Sequence, residues 1–203
     1  PMPKARPIVI PPFKEGPKST FYGVSAPVRA VGFVVSVGRA DDDAVRPIQD
    51  ELIAAVRTLW NRQPFVVSVA RAGKPMIGPG KTFTLATDEN KLAALKFFNS
   101  LRGDPKGDLL AALKDVCKKF DAYKTKERQD RIVFILCDKD PPDGVAEFVE
   151  ALCGDKAVRI CVEVVLFGSK GMKTVNAERI AKVANGRFQI VPPEPTSQPK
   201  GRT

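Results

Sequence analysis

The chain reads as an α/β protein with a doubly wound, mostly parallel sheet of six strands and helices on both faces. Three observations predict this. Short, β-branched, nearly continuous apolar runs recur through the middle of the chain, as in strands buried on both faces. Segments with apolar residues at helical spacing separate those runs. The alternation fills a chain of 203 residues, a length that suits one ordinary domain with some tail.

The first strand is Val31 to Val37, VGFVVSV. Ile48, Leu52, Ile53, Val56, Leu59 and Trp60 follow at helical spacing, and Pro47 fits the first turn, where its missing N–H costs little. Trp60, the sole tryptophan, ends this apolar face and is expected in the core. Phe65 to Ala70 is the second strand. Residues 71–86, rich in glycine and proline, are expected to hold one short edge strand. Thr87 caps a helix with Leu92, Leu95, Phe98 and Leu101 on one face. The next helix carries Leu109, Leu113, Val116, Cys117 and Phe120.

Ile132 to Cys137 is a strand, and Val145, Phe148, Val149 and Leu152 mark a helix. Val158 to Phe167 contains a strand. A short helix around Asn176 to Ala184 is expected to end at Gly186 in the left-handed cap position. Phe188 to Val191 is the last strand. Crossovers in such a Rossmann-like sheet are right-handed, and its working site lies at the carboxyl ends of the strands.

Composition excludes several chemistries. Without histidine there is no Ser-His-Asp triad, Cys-His dyad or His-liganded zinc. The four cysteines, Cys117, Cys137, Cys153 and Cys161, form no C-x-x-C pair and read as small buried hydrophobes, which fits a reducing, cytoplasmic compartment. No apolar run is long enough to span a membrane. The chain begins at Pro1, so an upstream signal or anchor stays open.

Six prolines fall in residues 1–18 and four in 192–203. These ends read as a basic, proline-rich arm or linker (1–19) and a proline-rich tail (192–203) flanking a domain over 20–191. The formal net charge is +10; residues 1–30 carry +4 of it and the last 13 residues +1. The folded middle is therefore only modestly basic. Lys114, Lys118, Lys119, Lys124, Lys126, Arg128 and Arg131 form a basic stretch that reads as a solvated helix face. Gly78-Pro79-Gly80-Lys81-Thr82 has the tail of a phosphate-binding loop, but Pro75 stands where the loop needs glycine and no helix follows, so it reads as a turn.

An ordered set of six segments resembles the von Willebrand factor type A (vWA) domain of bacterial multi-domain proteins, over roughly residues 20–191. These are FVVSVGRAD (Phe33 to Asp41), Arg46-Pro47-Ile48 with its helix, Thr87-Asp88-Glu89-Asn90, Leu101 to Leu113, Ile132 to Gly144, and the last two strands, VVLFGS and ANGRFQIV. The resemblance implies a metal-ion-dependent adhesion site (MIDAS), five oxygen-bearing side chains at the sheet top. Oxygen ligands are what hard divalent cations require. Here Ser36 stands at the first aspartate, Gly38 and Ala40 at the two serines, and Gly107 at the threonine; only the last aspartate remains, as Asp138. One carboxylate and one hydroxyl do not hold magnesium tightly.

The expectation is a degenerate MIDAS with no metal and no cofactor, in a non-enzymatic, metal-independent, monomeric protein-binding module. Its candidate partner-binding residues are Arg39, Asp41, Lys106, Asp108, Lys139 and Asp140, on loops at the carboxyl ends of the strands. A basic binder of nucleic acid or another polyanion is the alternative, set against it by the lack of a stacking-aromatic pattern.

Overall fold

The computed structural model describes residues 30–39, 42–61, 63–123, 131–154, 160–168 and 171–192. The proline-rich arm, the tail beyond residue 192, and Lys124, Lys126 and Arg128 of the basic stretch lie outside the described residues. In chain order the elements are β1 (Ala30–Ser36), α1 (Asp42–Thr58), β2 (Pro64–Val69), β3 (Met76–Gly78), β4 (Thr84–Leu85), α2 (Asp88–Asn99), α3 (Leu109–Ala122), β5 (Arg131–Cys137), α4 (Asp143–Gly154), β6 (Ile160–Phe167), α5 (Val175–Val183) and β7 (Phe188–Val191).

The sheet runs β3-β2-β1-β5-β6-β7, with β4 also on β2. All pairings from β2 through β1, β5 and β6 to β7 are parallel; β3 and β4 pair antiparallel with β2. The described sheet thus has seven strands where the sequence predicts six. The difference lies in residues 71–86, which supply two short strands instead of one. Pro79, directly after β3, has no N–H to continue a ladder, so the chain turns and rejoins β2 as β4.

Side chains alternate between two cores. Val34, Val66, Val133, Val164 and Leu166 face α3, α4 and α5; Leu113, Val145 and Ile180 pack on them. Phe33, Phe65, Val67, Phe134 and Leu136 face α1 and α2; Ile48, Leu52, Val56 and Phe98 pack there. Phe33 and Phe134 stack with centroids 5.6 Å apart. Burial on both faces is why these strands read as unbroken apolar runs. At Gly32 a Cβ would stand 2.5 Å from Val116 Cγ1, so the missing side chain lets α3 settle directly on β1.

Three local expectations are corrected. Trp60 is 70% exposed, not core. Helix α1 stops at Thr58, and a turn from Gln63 N–H to the Trp60 carbonyl (2.8 Å) carries the indole outside, while Leu59 closes the core. Pro47 lies inside α1, not in its first turn, because the helix already begins at Asp42. After α5 the left-handed residue is Asn185 (φ 51°). Asparagine tolerates that region, and Gly186 is needed for another reason, its close approach to β6.

Two buried charges mark the frame. The Lys91 amine donates to the carbonyls of Leu59 (2.5 Å) and Arg57 (3.4 Å), a cation closing the C-terminus of α1; burial lowers its pKa. Glu163 in β6 is buried, and that burial raises its carboxyl pKa, the Arg187 charge pulling it back only in part. A raised carboxyl pKa means the folded state resists ionisation. Its cost is absent below the ordinary value and grows as pH rises through the folded value. Glu163→Gln is therefore expected to raise the melting temperature at pH 7, on the order of 1–3 °C, with the gain vanishing near pH 4. Thermal melts across that range check it; a loss at pH 7 overturns it.

Candidate functional site

The carboxyl ends of β1, β2 and β5 meet at one end of the sheet, with the loop before α3 laid across them. β1 ends at Ser36, which is buried and opposite Cys137. Beyond it the chain leaves the ladder, and the N–H groups of Gly38 and Arg39 need acceptors. Asp138, just past β5, supplies both: Gly38 N donates to its Oδ1 at 2.9 Å and Arg39 N to its Oδ2 at 3.1 Å. Lys139 is exposed, and its ammonium lies 3.2 Å from the point a Cβ on Gly38 would occupy.

The loop before α3 is stapled in the same manner. The Asp104 N–H donates to the Val37 carbonyl (2.8 Å), and the Asp104 carboxylate accepts from Ala72 N (2.9 Å) and Lys106 N (3.0 Å). These bonds press Gly107 onto β2, where a Cβ would stand 2.9 Å from the Ala70 carbonyl oxygen. Asp108 caps α3, accepting from Ala111 N at 2.9 Å.

Asp140 turns to the other side. It accepts from Asn176 N (3.1 Å) and Ala177 N (2.9 Å), so it caps α5, whose own N-cap residue Thr174 makes no side-chain cap bond. The Asn176 amide in turn donates to the Pro141 carbonyl and to Asp143, each at 2.8 Å.

Of the residues singled out from sequence, Ser36, Gly38, Arg39, Asp138 and Lys139 therefore come together. Lys106 and Gly107 join them through Asp104, and Asp108 and Asp140 hold helix N-termini. Ala40 and Asp41 lie outside the described residues. Asn176 escaped the sequence reading because its only signal is its place at a helix start. Its partners are more than 30 residues away.

The two backbone bonds, Ala72 first, hold the Asp104 carboxyl below its ordinary value of 3.8. A depressed carboxyl pKa contributes stability above the unfolded value that is lost as pH falls through the folded one. Asp104→Asn should thus destabilise the domain at pH 7 and do so less at an acid pH below the ordinary carboxyl value. Paired denaturation curves at the two pH values check it, and an equal loss at both overturns it.

Cys137 is buried, and that burial, then the neighbouring Asp138 charge, pushes its thiol pKa far up. Cys117 is pushed up to about 12, chiefly by burial. Much of the described basic stretch is engaged locally. Lys114 lies 5.5 Å over the Phe148 ring, Lys119 pairs with Asp115, and Arg131 pairs with Asp121.

Among the described residues, the donors at the sheet top do not make up a divalent-cation site. Gly38 and Gly107 bring no side-chain oxygen, and both Asp138 oxygens already accept N–H bonds. Among the described residues no cluster of three or more acidic, cysteine or histidine side chains could replace them.

No protein-family model matches the chain, and no curated protein matches it. Solved structures do. A von Willebrand factor type A protein from Catenulispora acidiphila is 13% identical with a TM-score of 0.66; the likeness covers 80% of this chain and 38% of that one. This chain therefore spans well under half of that protein's length. BatB from Bacteroides thetaiotaomicron is 15% identical with a TM-score of 0.55, over 81% of this chain and 90% of that one. Proximal thread matrix protein 1 of the mussel byssus, in a structure whose MIDAS motif holds zinc, is 12% identical with a TM-score of 0.58, over 80% and 41%. At such identities the likeness speaks for the fold. With its central parallel sheet, its two helical layers and its loop cluster at the strand ends, the chain has the von Willebrand factor type A fold.

Proposed function

We propose that this chain is a non-enzymatic protein-interaction module that binds through the loops at the carboxyl ends of β1, β2 and β5, without a divalent cation. The observation that carries the reading is the loop cluster itself. On a vWA-type fold, Asp104 and Asp138 tie its loops to one another and Asp108 and Asp140 tie them to helix starts, which makes a preformed surface. A surface ordered in advance loses less entropy when a partner docks. The step from fold to protein binding is by analogy with what vWA domains do.

Co-purification with the full-length tagged protein tests it. Arg39→Trp and Lys106→Trp, which place bulk on two of these exposed loops, should abolish retention of a specific partner, and Trp60→Ala at the opposite end of the sheet should not. No specific partner, or one indifferent to both tryptophans, sinks the reading.

Metal independence has its own measurement. Millimolar magnesium or manganese should shift the melting temperature by less than about 1 °C, since a ligand with no affinity for the fold adds no stability. Gly107→Thr should lower the melting temperature instead of creating a metal response, because its Cβ meets the Ala70 carbonyl. A metal-dependent rise of several degrees in either protein overturns the metal-free mode.

A further inference from the structure

Lys139 is the residue at the sheet top whose placement the loop staples do not explain. Its ammonium stands 3.2 Å from where a Cβ of Gly38 would be, above the position at which the resembling family carries a serine. It is solvent-exposed, and among the described residues it forms no ion pair. Among the described residues it makes no ion pair with its neighbour Asp138, whose two oxygens accept from the N–H groups of Gly38 and Arg39. Those same bonds bring the β1 loop against the β5 loop, so Arg39, also exposed and without an ion pair among the described residues, sits on the loop adjoining Lys139.

We propose that Lys139, seated over Gly38 with Arg39 on the adjoining loop, is a fixed cation that receives a carboxylate side chain of a protein partner. The inference rests on the interaction-module reading and names the chemistry of its contact. An ammonium and a guanidinium supply N–H donors that suit a carboxylate, and they need no metal to do so. A single carboxylate fits better than a nucleic acid. The sequence turns acidic two residues beyond Arg39, with the run Asp41-Asp42-Asp43, and three consecutive acidic residues disfavour a polyanion. A protein partner can place one acidic side chain among neutral ones.

The probe is N-acetyl-glutamate amide, titrated into the 15N-labelled protein at constant ionic strength, with N-acetyl-glutamine amide as the uncharged control. Saturable shifts at the Gly38, Arg39 and Lys139 amides with the glutamate probe alone are expected. Lys139→Met should weaken the apparent affinity at least fivefold, Lys139→Arg should retain it, and EDTA should leave it unchanged. Lys118→Ala and Lys182→Ala, two exposed lysines elsewhere, should also retain it. The dispersed spectrum of each variant reports that it is folded.

Absence of saturation, equal shifts with the glutamine probe, or unchanged affinity in folded Lys139→Met overturns the proposal. A short DNA duplex that moves the same resonances at lower concentration overturns the partner class. A co-purified partner blocked by Arg39→Trp but indifferent to Lys139→Met would leave the module standing and remove this contact from it.

Discussion

Gly186→Ala should lose about 3 kcal/mol or more, at the upper end of what overpacking costs, and should free β7 before the rest of the sheet unfolds. A Cβ at this position would lie 1.8 Å from the Val162 carbonyl oxygen and 2.6 Å from its carbonyl carbon. Both are backbone atoms of β6, so no side chain can rotate away. The turn is pinned on either side: Gly186 N donates to the Ala181 carbonyl, and Val164 N donates to the Arg187 carbonyl, each at 2.9 Å. Relief requires the α5–β7 turn to lift, and the parallel pairing that begins at Val164 with Phe188 goes with it. Hydrogen exchange should show early loss of protection at residues 188–191, with β1 and β5 protected to the global limit. A variant melting within 1 °C of the parent would contradict this close approach.

The second large effect belongs to Asp138. Asp138→Ala removes the acceptor for two N–H groups at once and leaves Gly38 and Arg39 without protein partners. Hydrogen bonds to a charged group contribute about 1.5–3 kcal/mol each. Asp138 is half-exposed and water can replace part of the loss, so the sum expected is about 2–3 kcal/mol, or roughly 5–10 °C for a domain of this size. Asp138→Asn keeps an acceptor oxygen and should fall between the two. Partner retention should fall with Asp138→Ala more than with Asp104→Asn, because Asp138 joins the β1 loop to the β5 loop through two hydrogen bonds. Denaturant unfolding of the three proteins gives the order; equal stability of Asp138→Ala and the parent would show that these bonds do not hold the loops.

The strands were legible for a simple reason. Val31 to Ser36, Phe65 to Val69 and Ile132 to Cys137 are buried on both sides, so burial wrote itself into consecutive residues. The face expected for α2 was off, since Lys91, Ala94 and Phe98 are buried there and Leu92 and Leu95 only in part. Thr87 was legible as a cap because a cap acts within three residues of itself. Trp60 was misread because periodicity places a residue on a helix face without saying where the helix stops. Gly186 was misread because two reasons for glycine, backbone freedom and close approach, leave the same letter. The site was legible only as missing oxygens. What Asp138, Asp104 and Asp140 do instead depends on backbone groups 99, 32 and 37 residues away, and no local pattern carries that.

The placing of β1 at the middle of the sheet has a consequence for the chain as it leaves the ribosome. Val31 pairs with Phe65 on one side and with Ile132 on the other. At ordinary rates of synthesis the second partner emerges roughly 3–13 s after the first. During that interval one edge of β1 offers unpaired N–H and C=O groups beside apolar side chains, an invitation to pair with another nascent chain. β1 thus stays open on one edge until β5 emerges, and a product truncated before Arg131 is expected to need a chaperone to stay in solution.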